Sequence, residues 1–241
     1  MMKPLISNQY GAMVMALLPF IYGMLLSQPI WLHLFLLLAW FSLYLMTYPF
    51  LSLFKSKGKS LEQYQKWTAI YAIATALLAI PAILYNWKVL FFVLAMLPLV
   101  QVSIYYTKRK DERNLINDLV GITIFALAGM GAYYFPDRQF DHKIWWVALH
   151  PSLFFIGTTL YIKSVMRERK NPRYFKSAVI FHLICIASYL IAKQYGLALA
   201  FLIGLARTAY LPTRKLSIQQ TGLIEFAISA IFFILLLTST L

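Results

Sequence analysis

"WWVALHPSLFFIGTTLYIKSVMRERKNPRY", residues 145–174, decides how the rest of the chain is read. Its first part, through Leu160, holds no Asp, Glu, Lys or Arg. The second carries Lys163, Arg167, Arg169, Lys170 and Arg173 against a single acid, Glu168. An apolar run that closes on cations is the pattern of a helix leaving hydrocarbon at the cytoplasmic headgroups. The same alternation recurs along all 241 residues, which are 61% hydrophobic with a mean hydropathy of +0.69. Only 12% of the residues are charged, about half the fraction of an ordinary soluble domain. Segments of alternating polarity, which a membrane barrel needs, are absent. The expected fold is all-α: a polytopic transmembrane helical bundle in one domain, residues 1–241.

Nine spans are predicted, near 10–27, 31–54, 67–85, 89–107, 115–135, 144–163, 176–193, 196–211 and 218–238. The opening "MMKPLISNQYGAMVMALLPF" has one basic residue and no clear small-residue cleavage site, so it reads as the first span. "SQP", "YNWK" and "KQYG" are tight connections, which make their flanking spans antiparallel. The remaining connections are mostly longer and basic. With the amino terminus inside, all Lys and Arg except Lys88, Arg138, Lys143 and Lys193 fall on the inner side, including Lys3 and Lys215. That bias orients the chain with its carboxyl terminus outside, in a bacterial inner membrane. The net charge of +14 sits at span ends, which matches anionic lipid and not nucleic acid. Cys185 is the only cysteine, so no internal disulfide and no cysteine metal site is expected.

Polar residues inside or beside spans carry the functional reading, because hydrocarbon penalises them unless they are paired or hydrated. In "YYTKRKDERNLINDLVGI", Asn114, Asn117, Asp118 and Gly121 share one helix face, with Arg109 just upstream. That face is either a polar stripe entering a cavity or an interfacial helix start with an acid near the dipole's positive end. Lys163 and Arg167 stand four apart, so one face can offer both to a single ligand. "NP" at 171–172 then reads as a helix stop. The plain alternative is an orientation signal at a helix carboxyl end. With Tyr161, Arg173, Asn114, Asn117, Asp118 and Arg109 added, this is the candidate substrate- and anion-binding set. Glu225, buried in "GLIEFAISAIFF", calls for a partner, and Arg207 of "GLARTAY" is the candidate for a structural intramembrane pair. His150 and His182 stand alone, so each is expected to make a packing hydrogen bond and not to hold metal. No Gly-rich phosphate loop, nucleophile elbow or inner carboxylate cluster is present, so no cofactor and no metal is expected.

The pieces "YGAMVMALLPFIYG", "LAWFSLYLMTYPFLSL", "RKDERNLINDLVGI", "TTLYIKSVMRERKNPRY" and "LPTRKLSIQQTGLIEF" resemble the YwiC-like family of bacterial integral membrane proteins, end to end. Tyr10 stands where that family's pattern has His, and Met13 where it has Trp. More distantly, "YYTKRKDERNLINDLVG" and "TLYIKSVMRERKNPRY" are similar to stretches of the UbiA superfamily of membrane prenyltransferases. That resemblance implies nine helices and an inward amino terminus. It also implies Asp-rich loops that hold magnesium and a prenyl diphosphate. The matching stretches here, "TYPFLSLFKSKGKS" and "YIKSVMRERKNPRY", contain no Asp. The expected function is therefore binding of an isoprenoid, a quinone or an anionic membrane lipid in a cavity open to the cytoplasmic face. The alternative is metal-independent prenyl transfer from a prenyl (di)phosphate.

Overall fold

A computed structural model of the chain describes residues 4–7, 10–214 and 217–241. Lys3 and Lys215 of the charge count lie outside the described residues. Among those residues there are nine α-helices and no strand. They are α1 (Tyr10–Leu26), α2 (His33–Ser52), α3 (Lys59–Tyr85), α4 (Leu90–Lys108) and α5 (Leu115–Tyr134). There follow α6 (His142–Ile162), α7 (Pro172–Ile191), α8 (Tyr195–Tyr210) and α9 (Ile218–Thr240). Helices α2, α3, α4, α5, α7 and α9 are long and apolar enough to cross a membrane, and α1 and α8 are shorter apolar helices. The chain is a multi-pass membrane protein. On α3, Ile70, Ile73, Ile80, Leu77 and Leu84 recur at helical spacing and all lie exposed, Leu84 at 82%. Such a face has hydrocarbon as its natural surrounding.

Most boundaries agree with the hydropathy reading within a residue or two, and two helix starts differ by more, each for a local reason. Helix α3 starts at Lys59 and not near 67. "KSLEQYQK" contains no Gly or Pro to stop a helix, and Glu62 in the first turn complements the dipole. Helix α7 starts at Pro172 and not near 176, because Asn171 accepts a hydrogen bond from the Arg173 N–H at 3.1 Å. Pro172 follows at the first helical position, where its missing N–H costs nothing. "NP" therefore opens α7. What ends α6 is a π-helical turn, Lys163–Arg167, closed by the Glu168 N–H donating to the Lys163 carbonyl at 2.6 Å.

The helices group into two compact units, Met1–Ala148 and Leu149–Leu241, dividing inside α6. In the first unit α2 packs on α3, and α5 packs on both α1 and α4. Side chains tie these helices to one another's backbone. Trp40 Nε1 donates to the Ala16 carbonyl at 2.9 Å, and Asn86 Nδ2 to the Phe135 carbonyl at 2.8 Å. His33 lies 1% exposed. Its Nδ1 accepts from the Ile30 N–H at 3.0 Å, which leaves Nε2 to donate to the Ala132 carbonyl at 3.0 Å. Helices α1 and α5 touch through glycine: a Cβ on Gly129 would stand 2.5 Å from the Pro19 carbonyl oxygen, and one on Gly23 would meet the Gly129 carbonyl. Such small-residue contacts are how helices approach closely in lipid.

In the second unit α8 packs on both α7 and α9. Phe154 of α6 and Phe232 of α9 stack at 4.0 Å between centroids. His182 of α7 bonds through Nδ1 to its own helix, at the Ala178 carbonyl, 2.7 Å away. Its ring fills the space left by Gly157 of α6 and Gly204 of α8. His150 bonds across helices, its Nδ1 lying 2.7 Å from the Tyr189 hydroxyl of α7.

Candidate functional site

The residues singled out from the sequence fall into both units. In the first, Asn114 is the amino-terminal cap of α5: its Oδ1 accepts from the Ile116 N–H at 3.0 Å, while Nδ2 donates to Asp111 at 2.8 Å. Asn117 donates to the Glu112 carbonyl at 2.8 Å, and its Oδ1 is buried without a hydrogen-bond partner among the described residues. Asp118 lies in the first turn of α5, half-buried. Arg109 ends α4 with its guanidinium 4.7 Å from the centre of the Tyr105 ring. Lys55 reaches Glu112 at 2.5 Å, which joins the loop after α2 to the loop after α4. Most of the polar groups at the start of α5 are thus spent on capping and loop closure.

In the second unit the π turn divides the basic stretch. Lys163 is 2% exposed, with its ammonium 5.9 Å from the centre of the Tyr174 ring, whereas Arg167 at the other end of the turn is exposed. Arg173 is exposed on the first turn of α7. The two cations expected side by side therefore sit in different surroundings. A π turn spreads five residues over what an α-helix covers in four, so α-helical spacing does not predict their directions.

The same turn opens a cavity of about 540 Å³. Arg169, Ser164 and Tyr161 line it from the α6–α7 side, and Arg214 and Thr221 from the α8–α9 side. Val165, Met166, Phe175, Leu211 and Pro212 supply apolar wall. Tyr161 alone of the expected anion-binding set is among these lining residues. Arg214 also lies over the Tyr210 ring, 5.0 Å from its centre, and donates to its hydroxyl. Arg169 makes no hydrogen bond or ion pair among the described residues. Two cations, three hydroxyls and an apolar wall make a lining suited to an anion with a greasy body. The sequence puts Arg169 in the basic stretch weighed as an anion grip and Arg214 in another basic loop, and singles out neither as a ligand contact. Their convergence depends on how two distant loops fold together, and no spacing rule reports that.

One turn deeper lies the buried pair. Arg207 stands four residues before Leu211 and Glu225 four after Thr221, a rise of about 6 Å on each helix. Arg207 Nη1 donates to Glu225 Oε2 at 2.6 Å and to Thr158 Oγ1 at 3.3 Å. The guanidinium carbon lies 4.4 Å from the centre of the Tyr161 ring. The side chain of Arg207 is 2% exposed and that of Glu225 12%. Arg207 Nε and Nη2 and Glu225 Oε1 are buried with no hydrogen-bond partner among the described residues. Buried polar atoms are nearly always satisfied, so three orphans on one ion pair point to a ligand-accessible or hydrated position. No group of three His, Cys, Asp or Glu able to hold a metal occurs among the described residues.

Comparison with known proteins yields three matches. A family model described as "YwiC-like protein" matches residues 6–133. An uncharacterized protein of Haemophilus influenzae is 69% identical over 240 residues, covering 100% of both chains. The uncharacterized protein YwiC of Bacillus subtilis is 32% identical over 234 residues, covering 97% of this chain and 96% of its own. The family model thus matches residues of the first unit, while both relatives also extend through the second. No solved structure matches the chain.

Proposed function

The chain belongs to the YwiC-like family, and we propose that it binds the phosphate group of an anionic membrane lipid in the cavity of its second unit. The observation that carries this reading is the lining: Arg169 and Arg214 meet there with the hydroxyls of Tyr161, Ser164 and Thr221, and no Asp or Glu is among the lining residues. Arginine pairs with phosphate through two parallel N–H donors, so two guanidinium groups neutralise such a group without a metal. Val165, Met166 and Phe175 offer contact to the first carbons of an acyl or isoprenyl chain. A phospholipid and an isoprenyl phosphate share this chemistry. The bias of Lys and Arg toward one set of connections supports a cavity mouth at the cytoplasmic face of a bacterial inner membrane.

The test is lipid retention. The purified protein, exchanged into a mild detergent, is incubated with phosphatidylglycerol, farnesyl phosphate or zwitterionic phosphatidylcholine, and bound lipid is counted by native mass spectrometry. One phosphatidylglycerol or farnesyl phosphate should remain on the wild type, and Arg169→Ala with Arg214→Ala should lose it. Equal retention by the double variant, or equal retention of phosphatidylcholine, sinks the reading. A carboxyl-terminal alkaline phosphatase fusion tests the orientation: activity in cells places that end outside, and inactivity reverses the assignment.

A further inference from the structure

Among the described residues, Glu225 is the one carboxylate that Arg207 contacts, and two other nitrogens of Arg207 have no hydrogen-bond partner. We propose that Arg207 is an inner anion-binding position, for which Glu225 is a built-in competitor. A monoanionic phosphate group, as in a phosphodiester, entering from the cavity takes over the guanidinium, and the released Glu225 takes up one proton from the solvent. This rests on the cavity being an anion site. It adds that occupation reaches one turn deeper and is coupled to a proton.

Four features support the exchange. Arg207 is held from three sides without being saturated: Thr158 accepts from Nη1, Tyr161 covers its face, and Glu225 binds one nitrogen. The ring that covers it, Tyr161, itself lines the cavity, so one aromatic side chain touches both the guanidinium and the cavity. Thr221, one turn before Glu225 on α9, and Leu211, one turn after Arg207 at the end of α8, also line the cavity. Finally, a bidentate phosphate contact would satisfy nitrogen atoms that the single Glu225 contact leaves idle.

The groups facing Glu225 define its electrostatics. Arg207 comes from α8, Tyr161 and Thr158 from α6, and His182 of α7 stands beyond Arg207. Its own helix brings no other ionisable residue between Ile218 and Thr240. With Arg207 engaged by Glu225 the site is neutral. If an anion arrived while Glu225 stayed ionised, two negative groups would share one buried cation. That arrangement costs more than taking up a proton, because isolated buried charge is expensive. Anion and proton therefore enter together, and net charge is conserved.

The experiment uses probes that do not themselves titrate near neutrality. Dimethyl phosphate serves as the soluble probe, and phosphatidylglycerol in nanodiscs as the lipid. In weakly buffered solution with a pH dye, dimethyl phosphate should cause uptake of about one proton per chain at saturation. Affinity should rise about tenfold for each unit of pH lowered, the slope for one linked proton. Infrared difference spectra should show a protonated carboxylic acid appearing on binding. Glu225→Gln should abolish the proton uptake, the infrared band and the pH slope. Should that variant fail to fold, the wild-type proton count decides alone. Binding of either probe with no proton uptake overturns the exchange while leaving the lipid reading intact. Proton-coupled binding of dimethyl phosphate without lipid retention overturns the lipid reading and keeps the exchange. Absence of binding by both probes overturns both.

Discussion

Arg207 lays its guanidinium 4.4 Å from the centre of the Tyr161 ring, and that same ring lines the cavity. The buried charge and the open space thus share one aromatic wall. Removing one partner of the Arg207–Glu225 pair leaves the other charged and buried, which costs about 3–5 kcal/mol. Arg207→Met should therefore lower the melting temperature sharply in detergent. Arg207→Met with Glu225→Leu should recover most of the loss, because two apolar side chains replace two charges. A double variant as unstable as the single one would show that the pair does more than balance itself.

The glycine contact between α1 and α5 predicts a sharp positional contrast. Gly129→Ala should destabilise by about 1–3 kcal/mol, since the added Cβ meets the Pro19 backbone, which cannot move aside as a side chain can. Gly121→Ala, on the same helix with nothing within 4 Å of the added atom, should stay within about 0.5 kcal/mol of the wild type. Thermal unfolding of the two variants side by side decides the matter.

Lys163 and Arg167 should separate by mutation although they are four residues apart. Lys163→Ala removes a buried stem and head and should cost about 1–3 kcal/mol. Arg167→Ala alters an exposed charge and should cost no more than about 1 kcal/mol. Equal losses would mean that the two cations act as one surface cluster.

Asn171→Ala should release the first turn of α7. Loss of such a cap costs about 1 kcal/mol. Hydrogen exchange should quicken at Arg173 and Tyr174, with little change near His182. Unchanged exchange at Arg173 would show that Pro172 alone starts the helix.

Asp141 gives a pH dependence at the start of α6. Slight desolvation pushes its carboxyl up. Hydrogen bonds from the Tyr133 hydroxyl and the Lys143 N–H, both at 2.9 Å, outweigh that and hold it below the usual carboxylate range. A depressed group stabilises the fold above its unfolded value, about 3.9, and loses that contribution as pH falls through the lower folded value. Exchange at Lys143 should therefore accelerate on acidification below that range, and Asp141→Asn should flatten the change. A profile identical in wild type and variant would exclude Asp141 as its source.

The nine helices were legible because hydrocarbon demands long apolar runs, and the cations of "KRKDER" and "MRERK" mark their ends. Helix starts were less so. Hydropathy places the edge of α3 where charge ends, whereas its backbone continues through "KSLEQYQK", since nothing there breaks it. Proline misled at 172, because the residue that stops one helix is equally fit to begin the next. Glu225 demanded a cation, and α8 supplies one at Arg207 alone, so their meeting at 2.6 Å follows from a short search. The cavity did not follow. Arg169 and Arg214 are separated by two whole helices, and Arg169 stands in the turn past the π-helical residues, where helical spacing no longer sets direction.

The surplus residue of the π turn has an evolutionary consequence. A π turn is an α-helix that has absorbed a one-residue insertion, so α6 carries two registers. The first, through Tyr161, is fixed by what it packs against inside the unit. The second, from Ser164 onward, is free to drift by single-residue insertion or deletion without disturbing the first. Relatives with a chain one residue shorter between Tyr161 and Asn171 should keep the helix and lose the turn, and the side chains presented to the cavity would change all at once.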